Sequence, residues 1–170
     1  MPTPAYSKPL HPLAAALAGW LLTSALAAEP EAHRVTVATF SAGSLAGWKE
    51  ESFAGNTEYR LLTSPDGGPT ALRARTRDAA SGLYREVRID LTRTPWLHWS
   101  WRVEDVYRGL DESRKEGDDY PARLYVVVSG GLLFWNTRAL SYVWSSSRPV
   151  GSHWPNAYTA NARLLAVESG

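Results

Sequence analysis

The 170-residue chain has no cysteine, one methionine, three phenylalanines and no run of lysine or arginine. Without cysteine there can be no disulfide, thiol nucleophile, thiolate metal site or iron–sulfur cluster. Stability must therefore come from packing. Charge is also nearly absent as a net quantity, 18 Lys+Arg standing against 17 Asp+Glu. Such a balance provides no electrostatic footprint for nucleic acid or an anionic membrane. No apolar run reaches the roughly 20 residues that a membrane-spanning helix needs.

What is present begins at the N-terminus. Lys8 and His11 precede an uncharged stretch, residues 13–28, broken by Gly19, Thr23 and Ser24 and ending in Ala25-Leu26-Ala27. A charged start, a short apolar segment and a small-x-small end form the pattern of a secretory signal peptide. Cleavage after Ala27 is expected, giving a signal peptide over 1–27 and a periplasmic or secreted protein with no membrane span once the signal is removed. Lys8 is the only charged Lys, Arg, Asp or Glu lost, so the mature domain becomes formally neutral while keeping seven of the eight tryptophans.

Residues 28–170 read as one domain. Period-two alternation or short apolar runs recur at 34–40, 57–63, 71–77, 83–91, 96–103, 122–129, 132–135, 139–145 and 162–168, and no helical periodicity exceeds a turn or two. Pro65-Asp66-Gly67-Gly68-Pro69 and Gly130-Gly131 supply turn residues between them. Leu72, Ala74 and Thr76 are expected on a buried face, with Arg73, Arg75 and Arg77 on the solvated one. Likewise Leu97, Trp99, Trp101 and Val103 are expected inward, with His98, Ser100 and Arg102 outward. Two stretches, 104–120 and 146–159, read as long loops, and loops of that length often carry function. The pattern predicts an all-β fold, a β-sandwich of jelly-roll type. A jelly roll returns its last strand beside its first. Because the strand at 162–168 runs almost to Gly170, a closing C-terminal strand is expected to be missing.

Phe40-x7-Trp48, the strand near 57–63, Ala71-Leu72 and Ser81-Gly82-Leu83 resemble the first half of a galactose-binding-like jelly roll. Four further segments are more specific: Trp99-Ser100-Trp101-Arg102-Val103, then the run from Gly117-Asp118-Asp119-Tyr120-Pro121-Ala122-Arg123 through Leu124-Tyr125-Val126-Val127, then Leu140-Ser141-Tyr142-Val143-Trp144-Ser145, and Trp154-Pro155-Asn156-Ala157-Tyr158-Thr159. In this order they resemble an uncharacterised family of exported bacterial proteins, DUF3047, from about Phe40 to Gly170. The resemblance implies no activity. It does imply a longer chain, continuing into an acidic, Asn-containing segment and a closing strand.

Adjacent carboxylates at Asp118 and Asp119 could split their pKa values for acid–base work or hold a hard cation. On a strand, however, neighbours face opposite ways. Asp119 and Arg123, four apart, would share a face and could form an ion pair. Glycoside hydrolysis needs two carboxylates across a sugar-sized cleft, and nothing in the spacing of Glu104, Asp105, Asp111, Glu112, Glu116, Asp118 and Asp119 selects a pair. His98 and His153 have no second ligand at zinc-site spacing, and Ser145-Ser146-Ser147 has no Gly-x-Ser-x-Gly context. A metal is therefore unspecified and no cofactor is implied. Tyr142 and Trp144 share a strand face, with Trp154 in the following loop, and such rings either form the core or stack on flat ligands.

The leading expectation is an exported cell-envelope module, non-catalytic, binding a glycan or small molecule through Asp118, Asp119, Arg123, Tyr142, Trp144 and Trp154. A hydrolytic enzyme using Asp118 and Asp119 is the alternative, followed by an envelope scaffold that binds partners through a sheet edge. No nucleic-acid partner is expected, and the oligomeric state is left open.

Overall fold

The computed structural model describes residues 33–63 and 67–170. The signal peptide, the polar lead-in before residue 33 and the Pro65-Asp66 part of the expected turn lie outside the described residues. The protein is all-β: every helical segment among the described residues is a three-residue 3-10 turn, and the strands form separate sheets whose ladders are mostly antiparallel, compatible with a β-sandwich. No described helix is long and apolar enough to cross a membrane. The chain forms two compact units, divided between Pro95 and Trp96.

In the first unit, a 3-10 turn at Phe40–Ala42 is closed by an isolated bridge between Thr39 and Ser44. The turn brings the Phe40 ring to 5.1 Å from Trp48. β1 (Lys49–Ala54) pairs antiparallel with β4 (Ala80–Tyr84), and β2 (Glu58–Leu62) with β3 (Ala71–Arg75). Ser81 joins the two ribbons. Its hydroxyl donates to Glu50 Oε1 at 3.0 Å and accepts from the Thr57 amide at 2.8 Å, while its carbonyl accepts from Tyr59. On β3 only Leu72 of the three residues expected inward is part-buried, whereas Ala74 and Thr76 are exposed.

The second unit holds every fully buried apolar side chain among the described residues: Val143, Trp154, Ala162, Leu164 and Ala166. Its sheet runs β5–β6–β8–β7, with β5 at Ala122–Val128, β6 at Arg138–Ser145, β7 at His153–Pro155 and β8 at Ala162–Ser169. β5–β6 and β7–β8 are antiparallel, and the central β6–β8 pair is parallel. Residues paired in register share a face. One face therefore carries Arg123, Val143, Trp154, Leu164 and Ala166, and the opposite face carries Leu124, Tyr142, Trp144 and Leu165. Full burial of Val143 or Leu164 on the first face contributes about 1.5–3 kcal/mol each.

Three expectations change here. Residues 132–135 are no strand. Leu133 donates to the Gly130 carbonyl and Asn136 to the Leu133 carbonyl, which winds a 3-10 turn at Phe134–Asn136, with Gly131 at φ +62° as the tight reversal requires. Residues 96–103 form no ladder among the described residues, and the alternation survives in part: Trp99, Trp101 and Val103 are part-buried and His98, Ser100 and Arg102 exposed, but Leu97, expected inward, is exposed as well. The 146–159 stretch contains β7, whose central Trp154 is only 5% exposed.

Candidate functional site

The residues singled out from sequence separate onto the two faces of this sheet. On the face of Val143 and Leu164, Arg123 pairs with Asp118 rather than with Asp119. One guanidinium nitrogen lies 3.1 Å from Asp118 Oδ1, the other donates to Oδ2 at 3.2 Å, and the Asp118 carbonyl accepts a third contact at 2.8 Å. Asp118 Oδ1 is close in charge but outside hydrogen-bonding geometry, so it stays buried without a donor. The guanidinium stacks 4.3 Å from the Tyr120 ring centre and also bonds the Tyr125 hydroxyl. Burial opposes its charge, but Tyr125 and Asp118 outweigh that and hold its pKa above the ordinary arginine value. Asp119 is exposed and has no hydrogen bond or ion pair with another described residue.

Trp154 belongs to this same face and to the core. Tyr120 packs 6.2 Å from it on one side, and the Arg148 guanidinium lies 4.5 Å over its ring. Its indole N–H donates to the Glu112 carbonyl at 3.0 Å. Glu112, only one of seven acids in the sequence pool, turns out to organise the whole 104–120 segment. It is 1% exposed; Ser145 Oγ donates to its Oε2, the Ser146 amide donates to its Oε1 at 2.6 Å, and Tyr120 OH donates to the same backbone carbonyl that Trp154 uses. Ser145 Oγ also accepts from the Arg148 amide at 2.8 Å, so its hydroxyl is fully committed. Burial pushes the Tyr120 phenol well above the ordinary tyrosine value. No spacing rule marked Glu112, because its partners are 33 and 34 residues away.

Tyr142 and Trp144 stand on the opposite face, so the six expected residues do not converge. Those two rings back a different pair. Trp99 lies 5.1 Å from Tyr142, Trp101 lies 6.2 Å from Trp144, and Trp99 and Trp101 meet edge to face at 85° with centres 5.6 Å apart. Beside them a groove of about 400 Å³ is lined by Leu97–Trp101, Val167 and Glu168.

Glu168 reaches this groove through a bulge. Ala162, Leu164 and Ala166 alternate into the core, so period two alone would send Glu168 inward as well. The register instead slips, with Val143 opposite Ala166 but Trp144 opposite Glu168. The extra residue, Val167, turns Glu168 onto the face of Trp144. Bulges in parallel pairs are rare, and bulges often re-aim a side chain beside a site. The pattern at 96–103 identified Trp99 and Trp101 as inward-facing; it could not show that they remain half-open.

A groove with two half-open indoles, one carboxylate, one imidazole and one hydroxyl can stack a flat apolar surface and accept hydrogen bonds at its rim. Among the described residues no three His, Asp or Glu side chains gather as metal ligands would. No curated protein and no solved structure matches the chain. One family model does, over residues 46–170, which include both tryptophans and the bulged end of β8; the chain belongs to the family described as protein of unknown function, DUF3047.

Proposed function

We propose that this is an exported, non-catalytic binding module of the cell envelope that takes a carbohydrate-like ligand in the Trp99–Trp101 groove. The observation that carries the reading is the pair of half-buried indoles at right angles beside an open groove of about 400 Å³, with Glu168 delivered to its rim. Sugar rings present flat C–H faces that stack on indole and a hydroxyl edge that needs acceptors, and the lining offers both. Tyr142 and Trp144 support the site from behind and do not line it. The acidic segment supports a structural role for Asp118, whose side chain is 9% exposed and held by Arg123, over the hydrolytic alternative. Export rests on the signal pattern at residues 1–27.

Titration of a panel of soluble oligosaccharides, followed by tryptophan fluorescence and calorimetry, tests the reading. Wild type should bind at least one. Trp99→Ala and Trp101→Ala should each weaken that binding by about tenfold, the order expected for loss of one aromatic stack. Absence of binding by wild type, or unchanged affinity in both variants, would overturn it.

A further inference from the structure

We propose that the groove selects a sugar bearing a free amine, an inference that rests on the carbohydrate reading and sharpens it to one ligand chemistry. Its lining contains one formally charged acid, Glu168, and neither lysine nor arginine. Glu168 is exposed, and its carboxylate has no hydrogen bond or ion pair with any described residue. The chain therefore places an uncompensated negative charge at the edge of an aromatic surface.

The placement depends on a local irregularity. Without the extra residue at Val167, Glu168 would fall opposite Ser145, on the face that carries Val143 and Leu164. A ladder slip that moves one carboxylate from the core side to the tryptophan side is a costly way to decorate a surface. It is an economical way to set a charge beside two indole faces. Those faces have the same preference, because the ring quadrupole attracts a cation lying over it, tryptophan most strongly. Trp99 and Trp101, both part-buried and both lining the groove, offer ring surface to an ammonium group beside Glu168.

The three contributions act in the same direction. A protonated amine gains from Glu168 and from both rings; an N-acetylated sugar keeps the stacking and loses the charge; a uronate meets repulsion from Glu168. The carboxylate is exposed, so screening limits its share to a severalfold effect.

The test is a fluorescence titration at mildly acidic pH, where the sugar amine is protonated, with three probes: a glucosamine tetramer, its fully N-acetylated counterpart and a glucuronate-containing oligomer. Wild type should bind the glucosamine tetramer about 3- to 10-fold more tightly than the acetylated one, a range set by exposed ion-pair and cation–π magnitudes. The uronate should bind weakest. Glu168→Gln should shrink the preference by weakening the glucosamine tetramer more than the acetylated one, and high salt should narrow the preference in wild type. Equal or tighter binding of the acetylated tetramer by wild type would overturn the amine inference and leave the carbohydrate reading standing. A preference of unchanged size in Glu168→Gln would also overturn it. Failure of all three probes to bind would overturn the inference together with the reading beneath it.

Discussion

At the scale of single residues, the second unit depends on a carboxylate that neither composition nor spacing advertised. Glu112 satisfies a hydroxyl and an amide with its side chain, and an indole and a phenol with its carbonyl. Glu112→Ala should cost about 3 kcal/mol in urea unfolding, since two buried donors lose their acceptor; a loss under about 0.5 kcal/mol would show that the contacts are incidental. Tyr120 offers a second measurement, one with a pH sign. Its phenol titrates higher in the folded state than in the unfolded one. The stability tied to its burial is thus complete below a pH of about 10 and declines as pH rises beyond it. Tyr120→Phe should cost about 1 kcal/mol at neutral pH through the lost bond to Glu112, and its stability should fall less steeply than that of wild type above pH 10. Parallel pH profiles of unfolding would refute this.

At the scale of elements, the structure bears out several of the runs that period two marked and adds a ladder where none could be read. β2, β3 and β5 each fall within a run that the pattern had marked, and β6 and β8 overrun theirs by one residue each. β1 is Lys-Glu-Glu-Ser-Phe-Ala with every residue exposed, so no alternation exists to read; its ladder with β4 is held by backbone pairing and by surface contacts of Glu50 with Ser81 and Lys49 with Tyr84. Residues 96–103 show the reverse: the side chains alternate in burial, but nothing among the described residues completes a ladder. The candidate site was half-legible for the same reason. Period two grouped Trp99 with Trp101 and Tyr142 with Trp144, but the face of Glu168 was set by a bulge, which has no compositional signature. Trp154 looked like a loop residue because β7 is only three residues long, with His153 and Pro155 as its ends. The 104–120 segment has its own requirement. Gly117 is buried, and a Cβ there would sit 2.3 Å from the Asp111 carbonyl oxygen. Gly117→Ala should therefore force the segment outward at about 1–3 kcal/mol. Limited proteolysis should then cut within 104–120 faster than in wild type, and equal cleavage rates would refute the close-approach argument.

At the scale of the whole molecule, export carries the most direct prediction. N-terminal sequencing of protein recovered from the cell envelope or medium should begin at Ala28; an intact N-terminus there would overturn the signal reading. The order of strands in the second unit bears on how such a chain could be delivered. β6 and β8 are neighbours in the sheet but not in sequence, and β8, the last of the four to be synthesised, lies between β6 and β7. Two of the three ladders need it. Until β8 has left the ribosome, only the β5–β6 hairpin can form, and an isolated hairpin is marginal in water. The β6–β8 contact must also close a loop that contains β7, an entropic cost met only when the last strand docks. The second unit arranged in this way stays incomplete until β8 is made, and a segment that has not yet folded is one that can still be threaded through a narrow pore.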